Sequence, residues 1–360
     1  MLKLNCGLSY PEQNAEDELE KIKLASKYGV DYVSIISIDE ERTKWFWELV
    51  KASFNWNASV SVLPSANFTL CSAPLYECAM YGETIFETME RHYSCGVRAM
   101  TFHVTPKQMI DDAVKDGFIV NSRGGIFSED LPDNPICDKW EEIVKWCAER
   151  YVTIFIGTSL RPGACEDELS KWTIKDLKGA CQYYDKAIKI LRDVGEPEIP
   201  VYLETLGHVR HWNLKTYEDI CQDRKICAMG PLLTDSVNGF DELNAIIGYS
   251  LVRKSTSLNL QVECMLSRKE HIELPNVEDV EDEIKKWKVA ETVVDCTMKD
   301  APWPGNKAEE VVLHIKDKQR TQCSAHYNIF GAMDIIPTCN VCGSKCPLTS
   351  EKLKGAQHAS

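Results

Sequence analysis

The chain has 360 residues, 16 of them cysteine, with 55 acidic against 41 basic side chains and a formal net charge of −14. The length suits one closed α/β barrel of about 250 residues plus an appendage, and cysteine at about 4% is well under the roughly 8–10% of small disulfide scaffolds. The acidic balance argues against a nucleic-acid binder, and no uncharged apolar run reaches the roughly 18 residues of a membrane span. The start MLKLNCGLSYPEQ lacks the pattern of a signal peptide. A cytoplasmic protein with reduced thiols is expected, and reduced thiols in this number invite metal or cluster chemistry.

Short β-rich runs recur at Leu2–Cys6, Tyr32–Ser37, Ala58–Leu63, Arg98–Val104, Val152–Gly157, Val201–Leu206, Lys225–Met229 and Leu258–Met265. Amphipathic stretches separate them, among them Ala15–Tyr28, Glu40–Phe54, Thr84–Tyr93, Lys139–Arg150, Ile174–Asp193 and Asp241–Val252. Near-continuous apolar strands such as VTIFIG suit a parallel sheet covered on both faces. The alternation predicts a (βα)8 TIM-type barrel over residues 1–276, with a doubly wound open sheet as the competing arrangement. Beyond Pro275 the helical stretches Val280–Asp295 and Lys307–Lys318 flank the breaker at residues 301–305. They predict a helical appendage over 277–330, a cysteine-rich loop over 331–350 and a polar, disordered tail over 351–360.

Residues at the C-terminal ends of barrel strands face the active site. There the sequence offers Asn5, His103, Glu204, His208 and His271. A lone strand-end histidine is usually structural, but three histidines and a glutamate on strands 4, 6 and 8 are placed to converge. His208 and His271, two neutral imidazoles with coordination positions left over, suit a divalent metal that also holds substrate. The segment Asn121-Ser-Arg-Gly-Gly125 brings glycines that let backbone approach an anion, with Ser122 and Arg123 as donors, and Arg161 adds a second guanidinium. Together they predict a phosphate site. Near the C-terminus, Cys339, Cys342 and Cys346 form a C-x2-C-x3-C run. Spacing alone allows three corners of a [4Fe–4S] cluster or, with Cys323 or His326 as fourth ligand, structural zinc.

These segments, in this order, resemble the phosphomethylpyrimidine synthase family, the thiamin-pyrimidine enzymes of non-standard radical-SAM type. The resemblance rests on Leu4-Asn-Cys-Gly-Leu-Ser9, Ser122-Arg-Gly-Gly125, Leu160-Arg-Pro-Gly163, Gly207-His-Val209, Gly230-Pro-Leu-Leu-Thr-Asp235, the segment from Lys269 to Asn276 and the three-cysteine run. It implies that His208 and His271 bind a divalent metal (zinc or iron) and that Cys339, Cys342 and Cys346 hold a [4Fe–4S] cluster. It implies nucleotide contacts at Asn5, His103, Ser122, Arg123, Gly124, Leu160, Arg161 and Glu204, with Glu204 also a candidate for proton transfer.

The implied reaction converts aminoimidazole ribonucleotide with a 5′-deoxyadenosyl radical made from S-adenosylmethionine. An external electron donor of flavodoxin or ferredoxin type and a homodimer follow from the same resemblance. The family's N-terminal extension is absent, so the chain is expected to begin at its first barrel strand. The cysteine run is one residue shorter than the family's, and Thr205-Leu206-Gly207 replaces Gly-Pro-Gly. Thr158 and Ser159 replace Asp-Gly, while Ser34, Ala66 and Cys227 replace a methionine and two tyrosines that contact the nucleotide. Metal, cluster and phosphate positions thus persist while the base side has changed. This predicts a divergent paralog, of which hydroxybenzimidazole synthase in cobamide lower-ligand synthesis is an existing type. The competing classes are a barrel metalloenzyme with a zinc tail and a non-catalytic nucleotide-binding relative.

Overall fold

The computed structural model describes residues 1–9, 11–54 and 67–297. Eight parallel strands close in sequence order: β1 Leu2–Cys6, β2 Tyr32–Ile35, β3 Thr69–Ser72, β4 Ala99–His103, β5 Thr153–Gly157, β6 Val201–Thr205, β7 Lys225–Ala228 and β8 Asn259–Cys264. Pairing of β1 with β8, Lys3 opposite Cys264, seals the ring and rules out the open sheet. The third strand departs from expectation. The run Ala58–Leu63 lies outside the described residues, and Thr69–Ser72 occupies the third position, with Leu70 opposite Val33 and Cys71 opposite Ala99. Four buried or half-buried residues with one β-branched side chain are enough there, because neighbours on both edges supply the hydrogen bonds.

Local signals set several helix ends. The helix Ala15–Tyr28 starts where Asn14 accepts from the Glu16 N–H and stops at Gly29, whose φ of 67° is left-handed. Thr84 is an N-cap, and with Glu87 it forms a reciprocal capping box for the helix Ile85–Ser94. Helices at Pro74–Tyr81, Lys107–Lys115, Arg123–Glu129 and Leu214–Cys221 complete the connections that the sequence pattern had not marked. The last described helix, Val277–Thr297, extends past the predicted Val280–Asp295 at both ends. Met1–Trp287 form one compact unit, and a second begins at Lys288.

Inside the barrel, Tyr32, Cys71, Ala99, Phe155, Tyr202, Cys227 and Val262 fill one buried layer. Tyr32 meets Phe155 edge-on with ring centroids 5.3 Å apart, so the bore is packed rather than open. All described cysteines are free, and all but Cys137 are buried. Outside the barrel, His92 joins a buried network: its Nδ1 lies 2.9 Å from Ser72 Oγ, and its Nε2 lies 2.9 Å from Glu77 Oε1. That second contact is an ion-pair distance without hydrogen-bond alignment. Trp47 Nε1 and Arg91 donate to the same Glu77 carboxylate. Among the described residues, no helix is long and apolar enough to cross a membrane.

Candidate active site

One layer nearer the strand C-termini, the barrel interior turns polar. His103, Gly157 and Glu204 lie side by side in register across β4, β5 and β6. Gly157 has no side chain to fill its place, and the His103 imidazole occupies it; a Cβ on Gly157 would lie 2.7 Å from His103 Nδ1. Gly124 presses on the same ring, where a Cβ would come within 2.1 Å of Cγ, so both positions require glycine. Tyr76 OH lies 3.1 Å from His103 Nε2, and His103 Nδ1 is buried without a partner. Burial, with the nearby Arg161 and Lys3 cations, outweighs Glu204 and brings His103 down to about 4, so the ring is neutral at physiological pH.

Glu204 meets a lysine that sequence reasoning did not single out. Lys3 reaches from β1 to β6, and its Nζ donates to Glu204 Oε1 at 2.6 Å, with both side chains almost fully buried. Thr101 Oγ1 donates to the same oxygen at 3.1 Å, and the Lys3 ammonium lies 4.1 Å from the Phe155 ring centroid. Burial alone would raise the Glu204 carboxyl, but the Lys3 ammonium, with Arg161 adding less, holds it below the ordinary value. Glu204 is therefore an anion with one oxygen already bound.

The predicted phosphate residues fall on neighbouring loops. Ser122 caps the helix Arg123–Glu129: its hydroxyl accepts from Gly125 N and donates to Ser159 O at 2.7 Å. Its single donor is thus engaged in holding two loops together. Arg123 donates to Ile36 O at 3.2 Å and, with Asn5, lines a cleft at the ends of β1 and β8. Asn5 Nδ2 donates to Cys264 Sγ at 3.1 Å. The Leu160 side chain is buried against Ile110 and Ala113, while its N–H donates to Asp176 Oδ2 at 2.7 Å. Thr105 donates to the other Asp176 oxygen, so this buried acid anchors the loop that carries Arg161. Burial pushes Asp176 up to about 6 despite those hydrogen bonds.

At the rim, His208 and His271 stand together. Their Nε2 atoms are 3.4 Å apart and their ring centroids 5.0 Å apart. His208 Nδ1 lies 2.6 Å from Asp235 Oδ1, and His271 Nδ1 lies 3.0 Å from Asp241 Oδ2. An ionised carboxylate only accepts, so each Nδ1 carries a proton, and the two Nε2 atoms face each other at hydrogen-bond distance. Two ligands of a tetrahedral ion with bonds of about 2.0–2.1 Å would sit about 3.3–3.4 Å apart. The pair fits a divalent metal, with its carboxylates as the usual outer partners of ligand histidines. No group of three or more metal-ligating residues occurs among the described residues.

A turn before His208 aims it. Leu206 has φ of 74° and Gly207 φ of 104°, and the following backbone is tied by His208 N to Pro162 O and by Val209 N to Leu232 O. The described contacts thus divide the strand-end residues into two groups, with His103 and Glu204 in the bore and His208 and His271 at the rim. Asp235 and Asp241 lie 27 and 30 residues from their histidines and had no local signal beyond position, Asp241 at a helix start. Cys339, Cys342, Cys346 and Ala66 lie outside the described residues.

The model of the Radical SAM ThiC family matches residues 2–352. Phosphomethylpyrimidine synthase from Thermodesulfovibrio yellowstonii is 26% identical over 319 residues, covering 82% of this chain and 69% of that protein. The enzyme of the same name from Carboxydothermus hydrogenoformans is 25% identical over 401 residues, covering 99% and 86%. Among solved structures, dihydropteroate synthase from Thermus thermophilus superposes with a TM-score of 0.44 at 11% identity, covering 80% of this chain and 93% of that one.

Proposed function

The chain belongs to the radical SAM ThiC family, and from that premise we propose that it acts on aminoimidazole ribonucleotide in the manner of a phosphomethylpyrimidine synthase. The observation in this chain that carries the reading is the His208–His271 pair, each ring oriented by its own aspartate and each Nε2 left to a cation. His208 and His271 would hold one divalent metal, zinc or iron, and Cys339, Cys342 and Cys346 a [4Fe–4S] cluster whose open iron takes S-adenosylmethionine. When bound, cluster and S-adenosylmethionine supply the 5′-deoxyadenosyl radical.

The remaining tasks fall to the chain itself. Arg123 and Arg161 hold the substrate phosphate, with Gly124 bringing backbone close and Ser122, Leu160 and Asp176 fixing the loops. Asn5, neutral His103 and anionic Glu204 contact the sugar and base. Polar contact suits Glu204 better than proton transfer, since Lys3 already stabilises its ionised form. A packed barrel floor excludes water from a carbon radical. An external electron donor, a homodimer and a cytoplasmic setting belong to the same reading.

A second reading, a paralog with another product such as hydroxybenzimidazole, draws on one observation. Ser34 and Cys227 are buried and small in the barrel interior, and Cys227 belongs to the packed layer. The base side is therefore shaped differently from one built with a methionine and a tyrosine at these two positions. Anaerobic reconstitution with iron and sulfide, then incubation with S-adenosylmethionine, reductant and aminoimidazole ribonucleotide, tests both readings. Mass spectrometry should find 5′-deoxyadenosine and a nucleotide-derived product whose mass separates pyrimidine from benzimidazole. Nucleotide binding without 5′-deoxyadenosine, or a zinc-containing tail free of acid-labile sulfide, would overturn both. Cys342→Ala should lose the visible absorption of the cluster, and its retention would remove Cys342 from the ligand set.

A further inference from the structure

We propose that Lys3 is a positioning residue of the active site: by clamping Oε1 of Glu204 across the barrel, it leaves Oε2 as a fixed, acceptor-only anion for an N–H or O–H donor of the substrate. The inference rests on the nucleotide-binding reading above and goes beyond it, since Lys3 was not among the expected contacts. Three observations carry it. Lys3 Nζ and Thr101 Oγ1 both converge on Oε1, at 2.6 and 3.1 Å, and Thr101 Oγ1 is itself 3.3 Å from Lys3 Nζ. Oε2 has no hydrogen-bond partner among the described residues, on a side chain only 4% exposed. Below the pair lies the aromatic layer, with Phe155 against the ammonium, so the clamp cannot retreat downward.

The surroundings leave Lys3 as the cation that decides the state of Glu204. From β4 comes the neutral His103, and from the loop after β5 comes Arg161, a weaker influence than Lys3. Tyr76 and the thiols Cys71, Cys227 and Cys264 also face the pair, and burial raises all four well above their ordinary values, which keeps them uncharged. Without Lys3 a carboxylate this deeply buried would take up a proton. Protonation would turn an acceptor into a mixed donor and acceptor, and discrimination for a substrate amine or hydroxyl would weaken.

The test compares the reconstituted full-length protein, Lys3→Met, Glu204→Gln and the double variant Lys3→Met/Glu204→Gln. Infrared titration of the substrate-free proteins reads the protonated-carboxyl stretch directly. Other buried acids, Asp176, Glu263 and Glu283 among them, also absorb there. The Glu204 band is therefore read as wild type minus Glu204→Gln, where it should be absent between pH 6 and 8.5, and as Lys3→Met minus the double variant, where it should appear as pH falls. Calorimetry with aminoimidazole ribonucleotide, each variant referred to Glu204→Gln at the same pH, should give wild-type affinity varying by less than about threefold. Lys3→Met should lose about tenfold from pH 8.5 to 6, the effect of one unit of titration.

An unprotonated Glu204 in folded Lys3→Met, or a pH-independent loss matched by the double variant, would overturn the proposal. If wild type does not bind the nucleotide, the substrate reading fails while the infrared result still decides the clamp. If Lys3→Met does not fold, Lys3→Gln takes its place, removing the charge while keeping a donor toward the same oxygen. A smaller shift of the same sign is then expected, and no shift counts against the clamp.

Discussion

Between the helices Thr43–Ser53, Pro74–Tyr81 and Ile85–Ser94, His92 bonds Ser72 through Nδ1 and holds Nε2 at ion-pair distance from Glu77. At the barrel rim, His208 and His271 each commit only Nδ1 to an aspartate and leave Nε2 facing the other ring. The ingredients are the same, imidazole and carboxylate. The first group is buried and closes on itself, so it contributes to stability. The second is partly exposed, with the His271 side chain at 48% of its free surface, and its two Nε2 atoms meet only each other among the described contacts. What surrounds a cluster, sealed protein or the open rim, rather than which residues compose it, separates scaffold from site.

That contrast can be broken most forcefully at Glu77. Glu77→Ala strands Trp47 Nε1 in a buried setting, deprives Arg91 of one of its two carboxylates and should cost about 3–5 kcal/mol in urea denaturation. A loss below about 1 kcal/mol would put His92's network on a level with a surface pair. His271→Ala should do the reverse: metal content measured by mass spectrometry after dialysis falls from one ion per chain to none, while stability changes by about 0.5 kcal/mol or less. Unchanged metal content would remove His271 from the site. Asp241→Asn should keep the ion but weaken its affinity about 10–100-fold in competition with a chelator. An effect on stability with none on affinity would place Asp241 with the scaffold.

The smallest effect is a pH signature. His92 and Arg91 overcome the cost of burial and hold Glu77 at about 2 against its ordinary 4.5. Its share of stability is therefore complete above 4.5 and is lost as pH falls through about 2. Glu77→Gln should flatten that part of the acid-unfolding curve, and an unchanged curve would assign the transition to other carboxylates.

The barrel was legible because its strands are apolar runs at regular spacing. Its third strand was not: Thr69–Ser72 offers four residues of mixed character, whereas Ala58–Leu63 alternates like a strand. His208 and His271 were legible from their places after strands 6 and 8, but pairing each with Asp235 or Asp241 depends on loops meeting in space. Lys3 shows the limit most plainly. A lysine flanked by leucines in a strand reads as the solvent-facing half of an alternation. Only closure of the barrel turns that face inward, and only then does a glutamate 201 residues away become its partner.

The turn at Leu206 and Gly207 has a consequence for rates. A leucine at φ of 74° carries a local cost of about 1–3 kcal/mol, and it persists because Thr205 O before it accepts from Met229 N while His208 N and Val209 N after it donate to Pro162 O and Leu232 O. A segment held that way has few alternative shapes, so His208 waits in place instead of searching for it. Capture of an ion at the rim would then be timed by how fast the ion sheds water, with no slow loop rearrangement ahead of it. Relaxing that turn with glycine would show itself first as delay, in the time course of uptake, before any change at equilibrium.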